Sequence, residues 1–371
     1  MDCFTRYLKP QITKDLKRKM VFLSGPRQVG KTTLARDILV NQSGYLNWDI
    51  AEHREQILQS QLPATNMLVL DEIHKYRSWR NYLKGLYDSG NWQQLLITGS
   101  ARLEYYRHGG DSLQGRYHLL RLFPLSCAEL DIETASDLAD LLQFGGFPEP
   151  FFSSSKIEAK RWSREYRQRL LEGDLQSLEQ VQDLGKLELL MLRLPDLVGS
   201  PLSINAVRED LQVSHKTVAN WLEILERLYA IVRLMPFGSP AIRAIKKAQK
   251  HYQYDWTLVS ERGPRFENLV AIHLLKWVSF QADAFGEEYE LRYFRDIDGR
   301  EVDFVVTYKQ QPHLLVECKH SDRPIDKGLN YLKKRFPEAG AWQISATGTK
   351  DYLSPTSIRV CPAPMFLKTL I

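Results

Sequence analysis

Residues 20–38 read MVFLSGPRQVGKTTLARDI, and this stretch decides the fold. Met20–Ser24 is a short apolar run, the pattern of a buried strand. It leads into Gly25-Pro26-Arg27-Gln28-Val29-Gly30-Lys31-Thr32, which matches G-x-x-x-x-G-K-[ST] in residue type and spacing. A helical pattern, TTLARDIL, begins at Thr32. Strand, glycine turn and helix in this order build a phosphate cradle. The glycines let the backbone wrap so that its N–H groups face phosphate oxygens, and the helix N-terminus adds the positive end of its dipole. Lys31 is then expected to reach the β- and γ-phosphates, and the Thr32 hydroxyl to ligate Mg²⁺. The expected nucleotide-binding set is Gly25, Pro26, Arg27, Gln28, Val29, Gly30, Lys31, Thr32 and Thr33, with ATP and Mg²⁺ as cofactors.

Moving outward, further apolar runs at residues 66–70 and 94–98 are each succeeded by polar residues and an amphipathic helical pattern. Short buried strands alternating with helices predict a parallel α/β sheet. The second run delivers Asp71 and Glu72 at its C-terminal tip, where open α/β sheets bind ligands. Asp71 is expected to hold Mg²⁺, directly or through a water, and Glu72 to polarise the attacking water. The third run ends in Thr98-Gly-Ser100, and Thr98 is placed to sense the γ-phosphate or orient water. Hydrolysis also needs positive charge at the developing oxyanion, often from an arginine of a neighbouring subunit. Arg102, Arg107, Arg116 and Arg121 come after the third run, and Arg116, next to Gly115, is the first choice. An arginine acting in trans implies a homo-oligomer.

The chain has 371 residues, enough for two or three domains at ~150 residues each. Hydrophobic residues make up 43% and charged residues 26%, which excludes a disordered or fibrous chain. No apolar run approaches the ~20 residues that cross a bilayer, and the polar, basic start lacks an apolar signal core. Cys3, Cys127, Cys318 and Cys361 lack paired spacing, so neither a zinc site nor a disulfide framework is expected. These features predict a cytoplasmic protein. The net charge of +5 permits nucleic-acid binding without demanding it. Basic runs lie at 160–169 (KRWSREYRQR) and 241–250 (AIRAIKKAQK).

Taken together, SGPRQVGKTTLARDIL, LVLDEIHKYRSW, LLITGSARL, GRYHLLRLFPLSCAEL and FGGFPEP resemble, in this order, a family of prokaryotic AAA-type ATPases with a C-terminal DUF4143 region. The resemblance covers nearly the whole chain. It implies an AAA+/STAND-like P-loop core with a helical lid, and ATP hydrolysis.

Between residues 200 and 236 the pattern is helix, tight turn, helix and a strand-like segment at 230–234, as in a winged helix-turn-helix. Ser214 is a natural cap for the second helix. That helix is expected to expose His215, Lys216, Asn220 and Glu223, residue types that contact phosphates or base edges. Such modules also serve purely as packing units. Farther on, Glu267 lies in the first turn of an amphipathic helix, and Asp298-Gly299 is a hairpin signal. Asp303 sits on the returning strand, sharing a face with Glu301, and Glu317 and Lys319 share a face of the next strand. The order Glu, hairpin Asp, Glu-x-Lys is that of the PD-(D/E)xK restriction-endonuclease-like superfamily. In such a site Glu267, Asp303 and Glu317 would hold Mg²⁺, with Glu301 a competing ligand. Lys319 would orient or deprotonate the attacking water. Lys250-His-Tyr-Gln-Tyr-Asp255 resembles the family's strand before this domain. The family continues Asp-Thr-Gly-Leu where this chain has Asp255-Trp-Thr-Leu, so no function is carried to Asp255.

The expected architecture is therefore α/β with three modules: a P-loop NTPase core and helical lid (1–195), a winged helix (196–262) and a restriction-endonuclease-like domain (263–371). The expected activity is ATP hydrolysis coupled to a DNA-binding or DNA-processing module. The alternative is a nucleotide-dependent switch or scaffold whose C-terminal modules only bind. A metabolic kinase would need a small-substrate pocket, which nothing in residues 200–371 suggests.

Overall fold

The computed structural model describes residues 5–89, 94–99, 113–170, 183–238 and 249–371. The chain forms two compact units. The first holds residues 1–123 with 283–285, and the second residues 124–282 with 286–371.

The first unit runs α1 (Lys9–Asp15), β1 (Met20–Ser24), α2 (Lys31–Ile38), β2 (Tyr45–Asn47), α3 (Ala51–Leu58), β3 (Met67–Asp71), α4 (Trp79–Asp88), β4 (Gln94–Thr98) and β5 (Tyr117–Arg121). The strands form one parallel sheet in the order β2-β3-β4-β1-β5. Their apolar runs are buried as a parallel sheet demands. Phe22, Leu68, Leu70 and Ile97 pack with Trp79 and Leu83 of α4 in one core. The register decides the chemistry. Asp71 pairs with Thr98, and Thr98 with Leu23, so the C-terminal tips of β3, β4 and β1 lie side by side. β4 separates the strand bearing the phosphate loop from the strand bearing Asp71.

The second unit begins with helices α5 (Ala135–Phe144), α6 (Pro148–Ser153), α7 (Lys156–Arg169) and α8 (Leu184–Arg193). Thr134 and Asp137 form a reciprocal capping box at the start of α5. The basic run 160–169 lies on α7, whose Trp162, Ser163 and Tyr166 are buried while Lys160, Arg161, Arg164 and Arg169 are exposed. Helices α9 (Ile204–Leu211) and α10 (His215–Arg227) come next, joined by a tight turn with Gln212 in the left-handed region. Ser214 caps α10 by accepting from the Thr217 N–H at 3.0 Å. His215, Lys216, Asn220 and Glu223 are all exposed.

The remainder consists of β6 (Ile231–Pro236), β7 (Lys250–Gln253), α11 (Arg262–Phe285), β8 (Tyr289–Arg295), β9 (Glu301–Tyr308), β10 (Gln311–Lys319), α12 (Lys327–Arg335), β11 (Gly340–Ser345), β12 (Tyr352–Leu353), β13 (Arg359–Pro362) and α13 (Ala363–Leu367). The hairpin between β8 and β9 turns at Asp298-Gly299, with Gly299 at φ +77°. All eight strands form one sheet in the order β12-β13-β11-β10-β9-β8-β6-β7. Two features differ from the sequence expectation. The sequence expectation drew boundaries near 195 and 262, whereas the compact first unit ends at Phe123 and the described residues of 124–194 group with the C-terminal part of the chain. The strands after α10 do not stand apart as a wing; β6 pairs with β8 in the C-terminal sheet.

Candidate functional site

The phosphate loop joins β1 to α2 and owes its shape to two glycines. Gly25 has φ +133°, and a Cβ there would lie 2.2 Å from the Leu122 carbonyl oxygen. Gly30 has φ +98° as the residue preceding α2. Any other residue at either position would be strained, which accounts for both glycines of the motif. Lys31 is buried inside the loop, where its amine donates to the carbonyls of Gly25 (2.9 Å) and Pro26 (2.6 Å). Thr32 and Thr33 lie in the first turn of α2, where backbone N–H groups have no partner within the helix.

Asp71 is fixed from three sides. The Thr32 hydroxyl donates to its Oδ2 at 2.8 Å, the Tyr45 hydroxyl donates to the same oxygen at 2.7 Å, and the Thr98 hydroxyl donates to Oδ1. Asn47 donates to the Tyr45 hydroxyl at 3.1 Å. Burial, and after it the hydrogen bond to Asp71, pushes the Tyr45 phenol up to about 12, so it remains a donor at neutral pH. Thr98, expected to sense the γ-phosphate or orient water, is fully buried, with its hydroxyl turned onto Asp71. Its place in the site is to orient that carboxylate. Sequence reasoning misses Tyr45 and Asn47. Their signal is a polar pair two residues apart on a three-residue strand, which places both side chains on one face.

The donors present fit a magnesium nucleotide. A hydroxyl and a carboxylate 2.8 Å apart are the hard oxygen ligands that Mg²⁺ takes, and a lysine held within a glycine loop supplies the phosphate counter-charge. Glu72, next to Asp71, has φ +56°, and its backbone N–H donates to the Thr98 carbonyl at 3.1 Å. Its carboxylate lies 3.2 Å from Lys75 Nζ and 3.6 Å from His74 Nε2.

Arg116 is not at this site. It precedes β5, and Met20 pairs with Tyr117, so it stands at the N-terminal edge of the sheet. The phosphate loop leaves the opposite edge, about 13 Å away along β1 at ~3.3 Å per residue. Arg116 Nε is paired with Asp88 at 2.9 Å, and its guanidinium lies over the Tyr87 ring. It therefore cannot reach the nucleotide of its own chain. Arg121, in register with Ser24, is at the loop edge. Arg102, Arg107 and Ser100 lie outside the described residues.

The C-terminal carboxylates do converge, but around a lysine. Lys250, at the start of β7, is fully buried, and its Nζ lies 2.6 Å from Glu301, 3.1 Å from Glu267 and 3.7 Å from Asp303. Burial alone would lower its pKa. Glu267, Asp303 and Glu301 outweigh that and raise it, so the amine stays charged. The Tyr252 hydroxyl donates to Glu267 at 2.7 Å, and Cys318 N–H donates to Asp303 at 2.9 Å. Burial first, and the facing Asp303 second, raise the Glu267 carboxyl to about 7.

The structure divides the expected set: Lys250 Nζ lies among Glu267, Glu301 and Asp303, while Glu317, on the other side of Asp303, pairs with Lys319. Among the described residues no group of three or more His, Cys, Asp or Glu side chains is arranged to hold a metal ion. Glu317 instead accepts from the Asp303 N–H at 3.2 Å and from Lys319 Nζ at 2.6 Å. Lys319 is also 3.0 Å from Asp326, and Glu317 and Asp326 together raise its pKa against the effect of burial. In this setting Lys319 is held in its charged form and both its partners are side-chain carboxyl groups. Lys250 closes the basic run 241–250, yet it faces inward; its neighbours at 241–248 lie outside the described residues. Asp255, to which the sequence assigns no role, accepts from the hydroxyls of Ser163 (2.5 Å) and Thr257 (2.6 Å).

Comparison with known proteins agrees with the first unit's chemistry. Residues 17–131 match the model of an AAA domain, residues 135–262 that of a domain of unknown function, DUF8612, and residues 262–366 that of DUF4143. An uncharacterized protein of Mycobacterium tuberculosis is 25% identical over 327 residues, covering 82% of this chain and 71% of its own length. Another, from Methanocaldococcus jannaschii, is 23% identical over 303 residues, covering 66% of this chain and 63% of its own. Among solved structures, a Walker-type ATPase of Pyrococcus abyssi is similar over 70% of this chain and 95% of its own, with 15% identity and a TM-score of 0.43. No described helix is long and apolar enough to cross a membrane. The AAA match over residues 17–131, the DUF4143 match over residues 262–366 and the geometry of the phosphate loop together support an AAA-type P-loop ATPase with a C-terminal DUF4143 region.

Proposed function

We propose that the protein binds ATP with Mg²⁺ and hydrolyses it, and that its second unit responds to the nucleotide state as a binding module, not as a nuclease. The observation that carries the first part is the contact between Thr32 and Asp71 at 2.8 Å beside a lysine held in the loop. Lys31 would neutralise the β- and γ-phosphates, and Thr32 with Asp71 would hold the metal. Mg²⁺, when bound, offsets charge developing on the phosphates. Glu72 would orient the attacking water once its carboxylate turns from Lys75.

The second part is supported by Lys250. A protein cation among Glu267, Glu301 and Asp303 already compensates the carboxylates that a catalytic metal would otherwise be called on to bridge. This favours the switch or scaffold reading over DNA cleavage. The exposed His215, Lys216 and Asn220 of α10 are the surface we assign to nucleic-acid backbone, with salt-sensitive binding as its signature.

Calorimetry and phosphate release test the reading. Wild type should bind ATP–Mg²⁺, Lys31→Ala should lose that binding, and Glu72→Gln should bind while turning over slowly. Equal affinity for Lys31→Ala and wild type would reject the nucleotide site. Mg²⁺-dependent cleavage of DNA or RNA by wild type, abolished in Asp303→Ala, would reject the non-catalytic reading.

A further inference from the structure

The phosphate loop has a brace that its motif does not include. Arg6 is buried, 6% exposed, just before α1. Its Nη1 donates to the Val29 carbonyl at 2.8 Å and its Nη2 to the Phe123 carbonyl. The next residue repeats the link: the Tyr7 hydroxyl donates to the Arg121 carbonyl at 2.5 Å and accepts from the Phe123 N–H at 3.3 Å. At the start of the loop, the Leu122 N–H donates to the Ser24 carbonyl at 2.9 Å, and Gly25 lies flat against the Leu122 carbonyl. Residues 121–123 therefore form a rail behind the loop, and Arg6 bolts the loop to it.

The bolt acts on one peptide plane. Val29 C=O and Gly30 N–H belong to the same trans peptide and point in opposite directions. Fixing the Val29 carbonyl on Arg6 turns the Gly30 N–H away from the guanidinium. Gly30 has φ +98°, and a glycine backbone is free to rotate among several states. The Arg6 contact narrows the directions open to that N–H, beside the Leu34 N–H that holds the Gly30 carbonyl. We propose that Arg6 is a positioning residue for nucleotide binding, which holds the Gly30 N–H, and with it the N-terminus of α2, in the orientation that receives a phosphate. The inference rests on the ATP-binding reading above. A guanidinium is suited to this because its fork spans two carbonyls at once, whereas an ammonium offers a single point of charge.

The test is the dissociation constant of ATP–Mg²⁺ and of ADP for wild type, Arg6→Ala, Arg6→Lys and Lys31→Ala, measured well below each protein's unfolding temperature. Losing the pre-organisation of the Gly30 N–H that this hydrogen bond supplies predicts a weakening of up to roughly 10-fold for Arg6→Ala. Arg6→Lys should weaken binding nearly as much, since it restores charge without the fork. A role confined to stability would lower the unfolding temperature while leaving both constants unchanged in the folded protein, and that result overturns the inference. Wild-type affinity in Arg6→Lys overturns it as well, since charge alone would then suffice. If wild type and Lys31→Ala bind equally weakly, the nucleotide reading fails and takes the inference with it. A large loss in Lys31→Ala beside none in Arg6→Ala rejects the inference alone.

Discussion

Replacing Lys250 by methionine keeps the approximate length of the side chain and removes the charge. Three carboxylates, those of Glu267, Glu301 and Asp303, would then face one another with no cation among them, at positions 2.6 to 3.7 Å from the lost ammonium. Removing one partner from a buried ion pair costs ~3–5 kcal/mol, chiefly because the remaining charge is stranded. For a domain of roughly 150–250 residues each kcal/mol moves the midpoint by about 2–4 °C. Lys250→Met should therefore lower the unfolding midpoint of the second unit by about 6–20 °C at pH 8. The pH dependence fixes the cause. Glu267 has a folded-state pKa of about 7, raised by burial and then by Asp303, against an ordinary carboxylate value when unfolded. The Lys250 ammonium lowers this value in wild type, so in the variant Glu267 takes up its proton at still higher pH; the variant then gains more stability than wild type on acidification, and the deficit should shrink toward about pH 5.5. Differential scanning calorimetry at these two pH values reads both effects. A midpoint within about 2 °C of wild type at the higher pH, well short of the expected loss, or a deficit that grows on acidification, would refute the assignment of Lys250 as the cluster's internal cation.

Two more outcomes are expected from the first unit. Thr98→Val deletes a buried donor to Asp71 and should weaken ATP affinity roughly 5- to 100-fold in the presence of Mg²⁺, while leaving Mg²⁺-free nucleotide binding unchanged in calorimetry. Arg116→Ala should leave the turnover of isolated monomers at the wild-type value, since the side chain is at the far edge of the sheet; activity that rises with wild-type concentration but not with that of the variant would show that Arg116 acts on a neighbouring copy.

The parts of this molecule that sequence reveals are those whose chemistry is local. Strand, glycine turn, lysine and helix are contiguous in residues 20–38, so the phosphate loop is legible, as is Asp71 at the tip of an apolar run. The Ser214 cap and the Asp298-Gly299 turn are likewise set by neighbours a few residues away. Arg116 is misplaced by a sequence reading because its end of the sheet depends on the pairing of β5 with β1, which no local pattern records. Arg6 reads as one more charge in a basic start, and its burial depends on Val29 and Phe123, the latter 117 residues away. Lys250 reads as the last of a basic run. The telling sign is that it opens a strand of four buried residues, where a solvated lysine has no place.

The joining of β6 to β8 also bears on where this chain can be cut. A fragment starting near residue 263 would retain the hairpin and nearly all of α11 but lose β6 and β7, the two strands at that end of the eight-stranded sheet. β8 would then lose its pairing at Arg292 and Tyr293 and present more unpaired N–H and C=O groups on that side, a template for edge-to-edge association with another chain. The same fragment would also lack Lys250, leaving Glu267, Glu301 and Asp303 without their cation. The two strands β6 and β7 thus act as a cover for the C-terminal sheet, and amide exchange in β6 and β8 should slow and quicken together as one cooperative opening unit.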